Sequence, residues 1–247
     1  MNYYEKWDTL YNERWQFREY LLNHIEEIEN IYGKYSKKVI STFGRGLSIA
    51  SPSRFSKYMM GKNHRPGRII KTIKPRTPYQ VCYYDENNDP LYMEDYGRVP
   101  KDTDVVGRSN ITYFVPYNND IWTARFDVCS TNDLNVAPMS IDSYKIVRDE
   151  QGRLSGFYYI DGHYHAIIDA EEYDYSECSD GIINCNFSYY LEGRDGVSKD
   201  VLPGFSNSPL EEWKYIFYVN EKGKVICYDS YKNKNGEFIL LQKRATK

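Results

Sequence analysis

The repeated alternation of tyrosine-rich runs with short polar turns is the feature that most constrains the fold. It begins near residue 79 and continues to the end of the chain. The chain holds 26 tyrosines, a residue type enriched in β-strands. Most of the turns end in glycine, as at Gly152 and Gly223, which is typical of hairpins. The candidate turns lie at 85–89, 118–120, 149–152, 161–162, 193–196, 220–223 and 233–236. A hairpin-rich antiparallel sheet without a fixed repeat length is therefore predicted.

The N-terminal segment has a helical periodicity instead. Apolar residues between positions 4 and 32 recur close to every 3.6 residues, which predicts one long helix or two in line. Asn2 and Glu5 have the spacing of a capping box, and Gly33 follows the last apolar position. An apolar helix stripe must be covered, most simply by the face of a sheet. The expected fold class is therefore α+β, with a long N-terminal helix packed on a predominantly antiparallel, hairpin-rich β-sheet.

The length of 247 residues fits one large β-rich domain. We expect a single domain over 1–247. The alternative is a helical and basic region at 1–78 followed by an antiparallel β domain at 79–247, divided near Pro75 and Pro78.

Composition and cysteine spacing narrow the class of protein. Aromatic residues make up 16% of the chain and the formal charge is only −3, which favours a packed core over disorder. The five cysteines are far apart and form no CxxC pair, which argues against a disulfide framework or a zinc knuckle. The first residues lack the pattern of a signal peptide, and no apolar run approaches the roughly 20 residues that span a bilayer. A cytoplasmic protein without a membrane span is predicted.

Charge is segregated along the chain. No Asp or Glu lies between Asn30 and Tyr84, whereas acids cluster at 85–104 and 149–180. The first window carries the bases Lys34, Lys37, Lys38, Arg45, Arg54, Lys57, Lys62, Arg65, Arg68, Lys71, Lys74 and Arg76. The basic and acidic residues could neutralise each other within the molecule by forming ion pairs on its surface. Otherwise the basic segment binds phosphate, or the acidic segment binds a basic partner.

The basic segment 34–76 supports one functional hypothesis, a nucleic-acid-associated protein of a phage or mobile element. Counterion release from phosphates would supply the affinity. The candidate phosphate-binding residues are Arg45, Arg54, Lys57, Lys62, Arg65, Arg68 and Lys71.

The common catalytic and cofactor motifs are absent from the sequence. It contains no GxGxxG, GxxxxGK[ST], GxSxG or HExxH pattern, so a binding protein is favoured over an enzyme and no cofactor is expected. His163 and His165 would share one face of a strand with Asp169, a set that could hold a divalent metal. The simpler interpretation is a solvated strand face, because Tyr164, Ala166 and Ile168 alternate with that set.

Two stretches, VRDEQGRLSGFYY and YVNEKGKVICYDSY, join tyrosine-rich strands through Asp/Asn-Glu-x-Gly turns. They resemble the hairpins of YD-repeat β proteins and are similar in style to immunity proteins encoded beside bacterial polymorphic toxins. The resemblance implies a protein that occludes a toxin.

The acid–tyrosine run at 169–180 gives the leading functional hypothesis. We expect a non-enzymatic binding protein that neutralises a basic, nuclease-like toxin through an acidic, tyrosine-rich surface, because a nuclease must be basic to hold nucleic acid. The candidate partner-binding residues are Asp169, Glu171, Glu172, Tyr173, Asp174, Tyr175 and Glu177.

Overall fold

The computed structural model describes residues 3–44, 50–52, 55–59, 67–99, 102–127, 142–161, 166–189 and 211–246. Most of them belong to a twelve-stranded antiparallel sheet in which the strands follow chain order. The helices are α1 (Tyr3–Asn23), α2 (Ile25–Glu29) and α3 (Ser56–Met59), with a 3-10 turn at Cys178–Asp180. The strands are β1 (Lys37–Thr42), β2 (Tyr79–Tyr84), β3 (Pro90–Val99), β4 (Asp102–Tyr117), β5 (Asp120–Asp127), β6 (Asp142–Arg148), β7 (Leu154–Asp161), β8 (Ala166–Asp174), β9 (Ile182–Tyr189), β10 (Glu211–Val219), β11 (Val225–Lys234) and β12 (Glu237–Ala245).

The predicted α+β class is wrong, because the fold is essentially all-β. Helix does form within 4–32, but it is interrupted at His24, whose Nδ1 lies 2.8 Å from the Tyr20 carbonyl oxygen and whose ring stacks on Tyr20. The helical periodicity covers only the N-terminal segment, whereas the hairpin pattern continues to the end of the chain. Of the aromatic side chains that are buried in the described ranges, most therefore lie on strands.

The chain divides into two compact units. One unit is Asn12–Ser143, and the other combines Met1–Tyr11 with Tyr144–Lys247. The expected single domain, like the alternative division near Pro75, stays a prediction.

The unit Asn12–Ser143 contains strands β1 to β5 and the second half of α1. Adjacent residues of β2 are both buried, since Val81 is 5% exposed and Cys82 is fully buried, so the sheet is covered on both faces there. Helix α1 contributes to this core through Phe17, whose ring stacks on Trp122 of β5 at 5.3 Å. Aromatic stacking of this kind stabilises the contact beyond the apolar area it buries.

The unit that contains Tyr144–Lys247 holds a second aromatic core. Across β8, β9 and β10 the register aligns Tyr173 with Cys185 and Cys185 with Tyr215. Phe217 of β10 and Ile183 of β9 also lie opposite each other and are almost completely buried. Side chains of one parity on these strands therefore form a continuous buried face.

Several predicted turns are confirmed. The amide of Gly152 donates to the Asp149 carbonyl at 2.8 Å, and that of Gly223 donates to Asn220 at 2.7 Å. Both glycines have positive φ angles of 75° and 68°, which glycine adopts at little cost. The predicted turns at 161–162 and 193–196 include residues outside the described ranges. Among the described residues, no helix is long and apolar enough to cross a bilayer.

Candidate functional site

The predicted acidic, tyrosine-rich run lies on β8 and the segment that follows it. Strand alternation separates it into two faces, with Asp169, Glu171 and Tyr173 on one and Glu172 and Asp174 on the other. Glu171 is 2% exposed and Tyr173 is 7% exposed. The seven predicted partner-binding residues therefore do not form one surface.

The buried face of β8 holds a carboxyl group with an unusual proton affinity. Burial, reinforced by the neighbouring Glu171 carboxylate, raises the pKa of Asp169 to about 8. The hydroxyl of Tyr173 donates to Glu171, and Asp169 lies between Tyr159 of β7 and Tyr189 of β9. Because Glu171 is held among aromatic side chains, we interpret it as part of the core, with half-buried Asp169 at the margin of that core.

The rest of the run contributes to an open groove, which we call the acidic groove. It has a volume of about 390 Å³ and is lined by Asp149, Glu150, Gln151, Arg153, Ser155, Tyr173, Asp174, Tyr175 and Ser176. The register sets Gly156 opposite Glu172, so the β6–β7 turn falls beside the end of β8. The predicted residues Tyr173, Asp174 and Tyr175 are thereby joined to a turn far from them in sequence.

The carboxylates of the acidic groove are held in their ionised form. The amide and hydroxyl of Ser176 both donate to Asp174 and lower its pKa. Partial desolvation opposes the same change at Asp149, but donation from the Arg153 amide and guanidinium outweighs it and lowers that pKa as well. Glu150, at the tip of the turn, is exposed. Both aspartates are therefore negatively charged at neutral pH.

Arg153 organises the wall of the acidic groove. Its Nε donates to Oδ2 of Asp149 at 2.7 Å, and its guanidinium carbon lies 4.3 Å from the centroid of the Tyr175 ring. The hydroxyl of Tyr175 donates to the Leu154 carbonyl oxygen at 2.8 Å. The charge of Arg153 thus neutralises Asp149 locally, which leaves Glu150 and Asp174 as the acids that can attract a partner.

The other predicted partner-binding residues lie outside the lining of the groove. Glu172 accepts a hydrogen bond from the Tyr158 hydroxyl at 2.8 Å. Glu177 is exposed and lies just before the 3-10 turn. They can add to the electrostatic potential of this region without contacting a ligand in the groove.

The basic side chains of the predicted segment 34–76 are exposed wherever they are described. Lys34, Lys37, Lys38, Arg68, Lys71 and Lys74 all lie on the surface. Of the predicted phosphate-binding residues, Arg68 and Lys71 belong to this set and Lys57 lies in α3. Arg45, Arg54, Lys62 and Arg65 fall outside the described residues.

These cations are not neutralised by acids in the described parts of the chain. The ion pairs found there join Arg108 to Glu94, Arg125 to Asp95, Arg153 to Asp149, Lys232 to Glu211 and Lys243 to Asp229. None of these pairs uses a base between Lys34 and Lys74.

Segment 68–70 lies beside β1. The amide of Ile70 donates to the Ile40 carbonyl oxygen, and the amide of Thr42 donates to the Arg68 carbonyl oxygen. Two stretches of the basic segment are therefore brought together on one edge.

A third polar cluster, which sequence reasoning missed, surrounds Glu94 on β3. Glu94 is 1% exposed and accepts hydrogen bonds from the hydroxyls of Tyr32, Tyr83 and Tyr96 and from Nη1 of Arg108, at 2.7–3.1 Å. The cluster ties the segment after α2 to β2, β3 and β4. The alternation of Tyr92, Glu94 and Tyr96 was a visible signal that these side chains share a face.

The weak metal candidates His163 and His165 lie outside the described residues. Within the described ranges, no group of three or more His, Cys, Asp or Glu side chains could hold a metal ion. The thiols of Cys82 and Cys185 are buried and form no disulfide, and burial is the main cause that raises the pKa of both.

Comparison with known proteins does not identify a family. No family model and no curated protein matches the chain. A protein of unknown function from Bacteroides fragilis is similar with a TM-score of 0.27 and 11% identity, covering 65% of this chain and 86% of that one. A porin-like protein from Bacteroides uniformis has a TM-score of 0.22 and 10% identity, covering 68% of this chain and 87% of that one. Similarities this low carry no argument about function.

Proposed function

We propose that the chain is a non-enzymatic binding protein that captures a basic protein partner, such as a nuclease-like toxin, through the acidic groove. The observation that carries the proposal is the position of Asp174 and Glu150 around the Tyr175 ring, with Arg153 already paired to Asp149. An aromatic side chain surrounded by charge is a common arrangement at tight protein interfaces. The resemblance to toxin-immunity proteins agrees with this function and stays a prediction, as does the cytoplasmic location.

Electrostatics supports a basic partner over an acidic one. Asp174 carries its charge throughout the neutral range because its pKa is lowered, and Glu150 is exposed beside it. Complementary charges increase the rate of encounter and exclude partners of the wrong sign. A lysine or arginine of the partner could pair with Asp174 while its methylene groups pack on the Tyr175 ring.

Co-expression tests the proposal directly. The chain is co-purified with a basic protein encoded by an adjacent gene, first as the wild type and then with Glu150→Lys and Asp174→Lys combined. We expect the double variant to lose the partner. Retention of the partner by this variant would reject the acidic groove as the binding surface.

A second candidate function is favoured by a separate observation. Exposed Lys37 and Lys38 lie on β1 and exposed Arg68 lies beside its end, and none of the three forms an ion pair within the described ranges. Tyr35 and Phe43, which flank β1 in the sequence, are also exposed. Lysines and arginines interleaved with aromatics suit the phosphates and bases of single-stranded nucleic acid. Retention on immobilised single-stranded DNA with a steep salt dependence would support this function, and elution at low salt would reject it.

A further inference from the structure

The last strand, β12, has one edge that no described strand pairs with. It follows β11 through a two-residue turn at Asn235 and Gly236, whose φ angles of 57° and 90° are those of a tight hairpin. In the strand order of the sheet, β11 is its only neighbour among the described strands. Backbone groups along the other edge of β12 are therefore available to a further strand.

The middle of this strand is apolar and exposed. Phe238, Ile239, Leu240 and Leu241 are 45%, 44%, 42% and 48% exposed. Because they are consecutive, they extend over both faces of the strand. Natural edge strands usually carry charges or proline at such positions to prevent association. An exposed apolar edge strand is instead typical of a surface that pairs with another chain.

The ends of β12 carry opposite charges. Glu237 begins the strand, and Lys243 and Arg244 lie near its end. A second copy that pairs in the antiparallel direction brings the acidic end of each strand beside the basic end of the other. Parallel pairing would place like charges together.

The register of β12 against β11 places the residues of opposite charge on the same face of β12, as antiparallel pairing of two copies requires. Glu237 is opposite Lys234 and Arg244 is opposite Tyr228, so both project from the same face of the hairpin. The irregularity at Ser230/Tyr231 accounts for this, because it adds one residue to β12 between them. An alignment that sets Glu237 opposite Arg244 also sets Ile239 opposite Gln242, again on one face.

We propose that two copies of this chain associate through antiparallel pairing of β12 with β12, related by a two-fold axis near Leu240 and Leu241. Self-complementary pairing of one surface is the common form of a symmetric dimer. This interface is independent of the acidic groove.

Sedimentation equilibrium of the full chain over a range of concentrations tests this pairing. The wild type is expected to be a dimer, and Leu240→Lys, which places two like charges beside the axis, is expected to be a monomer. Ile226→Lys is the matched control, since Ile226 is 49% exposed on β11 but outside the paired strand. Circular dichroism of each variant confirms that the fold is retained.

A charge exchange tests the register. Glu237→Lys alone should weaken the dimer by at least about tenfold, and adding Arg244→Glu should restore it. A monomeric wild type would overturn the proposal. It would also be overturned by a dimer that survives Leu240→Lys, by equal loss of the dimer with Ile226→Lys, or by failure of the charge exchange to restore association.

Discussion

Arg153 and Tyr175 are in direct contact, with the guanidinium carbon 4.3 Å from the centroid of the ring. The contact joins the β6–β7 turn to the segment after β8, and it fixes one wall of the acidic groove. Because the same guanidinium binds Asp149, the arginine reduces the number of acids that can act on a partner. Arg153 therefore holds the wall of the acidic groove in place, and Glu150 and Asp174 supply the negative charge that attracts a basic partner.

Loss of the Tyr175 hydroxyl should destabilise the protein without removing the ring. Tyr175→Phe deletes the hydrogen bond to Leu154 and leaves that carbonyl oxygen without this donor, so we expect a loss of about 1 kcal/mol in the free energy of unfolding. Urea denaturation measures it. Partner binding should persist in Tyr175→Phe and fall in Tyr175→Ala. Equal binding by these two variants would show that the ring does not contact the partner.

Asp169 should make stability fall as the pH rises. Its pKa in the folded protein is about 8, above the ordinary value of 3.8, so the folded state binds the proton more tightly than the unfolded state. The contribution of this group is fully present below about pH 4 and is lost as the pH rises towards 8. Asp169→Asn should remove this decline, as measured by urea denaturation at several pH values.

Asp174 is a control for Asp169, because its pKa is shifted in the opposite direction. Its lowered pKa gives stability that is present at neutral pH and is lost as the pH falls below the ordinary range of aspartate. Asp174→Asn should therefore lower stability at neutral pH and have little effect at acidic pH, where the contribution of the carboxylate is already lost. An unchanged pH dependence in Asp169→Asn would contradict the assignment to Asp169 of the decline in stability between about pH 4 and pH 8.

Removal of the Glu94 carboxylate should be strongly destabilising. Glu94→Ala leaves Arg108 and the hydroxyls of Tyr83 and Tyr96 without their acceptor in a buried setting. Breaking a fully buried ion pair by removing one partner typically costs about 3–5 kcal/mol. Because the Arg108 side chain is 34% exposed and water can reach it, we expect a loss at the lower end of that range, about 3 kcal/mol. Thermal and urea unfolding measure the loss. Glu86→Ala, at an exposed turn, should cost less than about 0.5 kcal/mol. Similar losses for the two variants would show that the Glu94 cluster contributes little.

Reversal of charge in the basic segment should separate the two candidate functions. Lys34→Glu combined with Lys71→Glu should lower the affinity for single-stranded DNA at least about tenfold and reduce the salt slope. Lys222→Glu combined with Lys224→Glu is the matched control, because both lysines are exposed in the other unit. Fluorescence anisotropy measures the binding. If both pairs lower the affinity equally, the effect reflects net charge and not a site at the β1 edge.

Local turn chemistry was readable from the sequence because it depends on a few adjacent residues. Asp149 and Gly152 form the predicted turn, and Asn220 and Gly223 form another. The fold class was not readable in the same way. It depends on how much of the core each element covers, and the aromatic strands cover more of it than the N-terminal helical periodicity suggested.

The candidate site was only partly predictable for a related reason. A run of acids is normally solvated, since ionised side chains are rarely buried without partners. Glu171 departs from this rule because Tyr173 donates to it and because Phe157 and Phe187 lie opposite it on the adjacent strands. The alternation of β8 could indicate which residues share a face. Which of the two faces is buried depends on packing, which no local pattern shows.

The most direct test of the acidic groove is the binding of a short polylysine peptide as a function of salt. The comparison is between the wild type, the variant with Glu150→Lys and Asp174→Lys, and a control with Glu86→Lys and Glu221→Lys, which changes the net charge equally at exposed positions elsewhere. We expect the groove variant to bind at least about tenfold more weakly than the control and with a flatter salt dependence. Equal binding by the groove variant and the control would contradict the role of the acidic groove in capturing a basic partner.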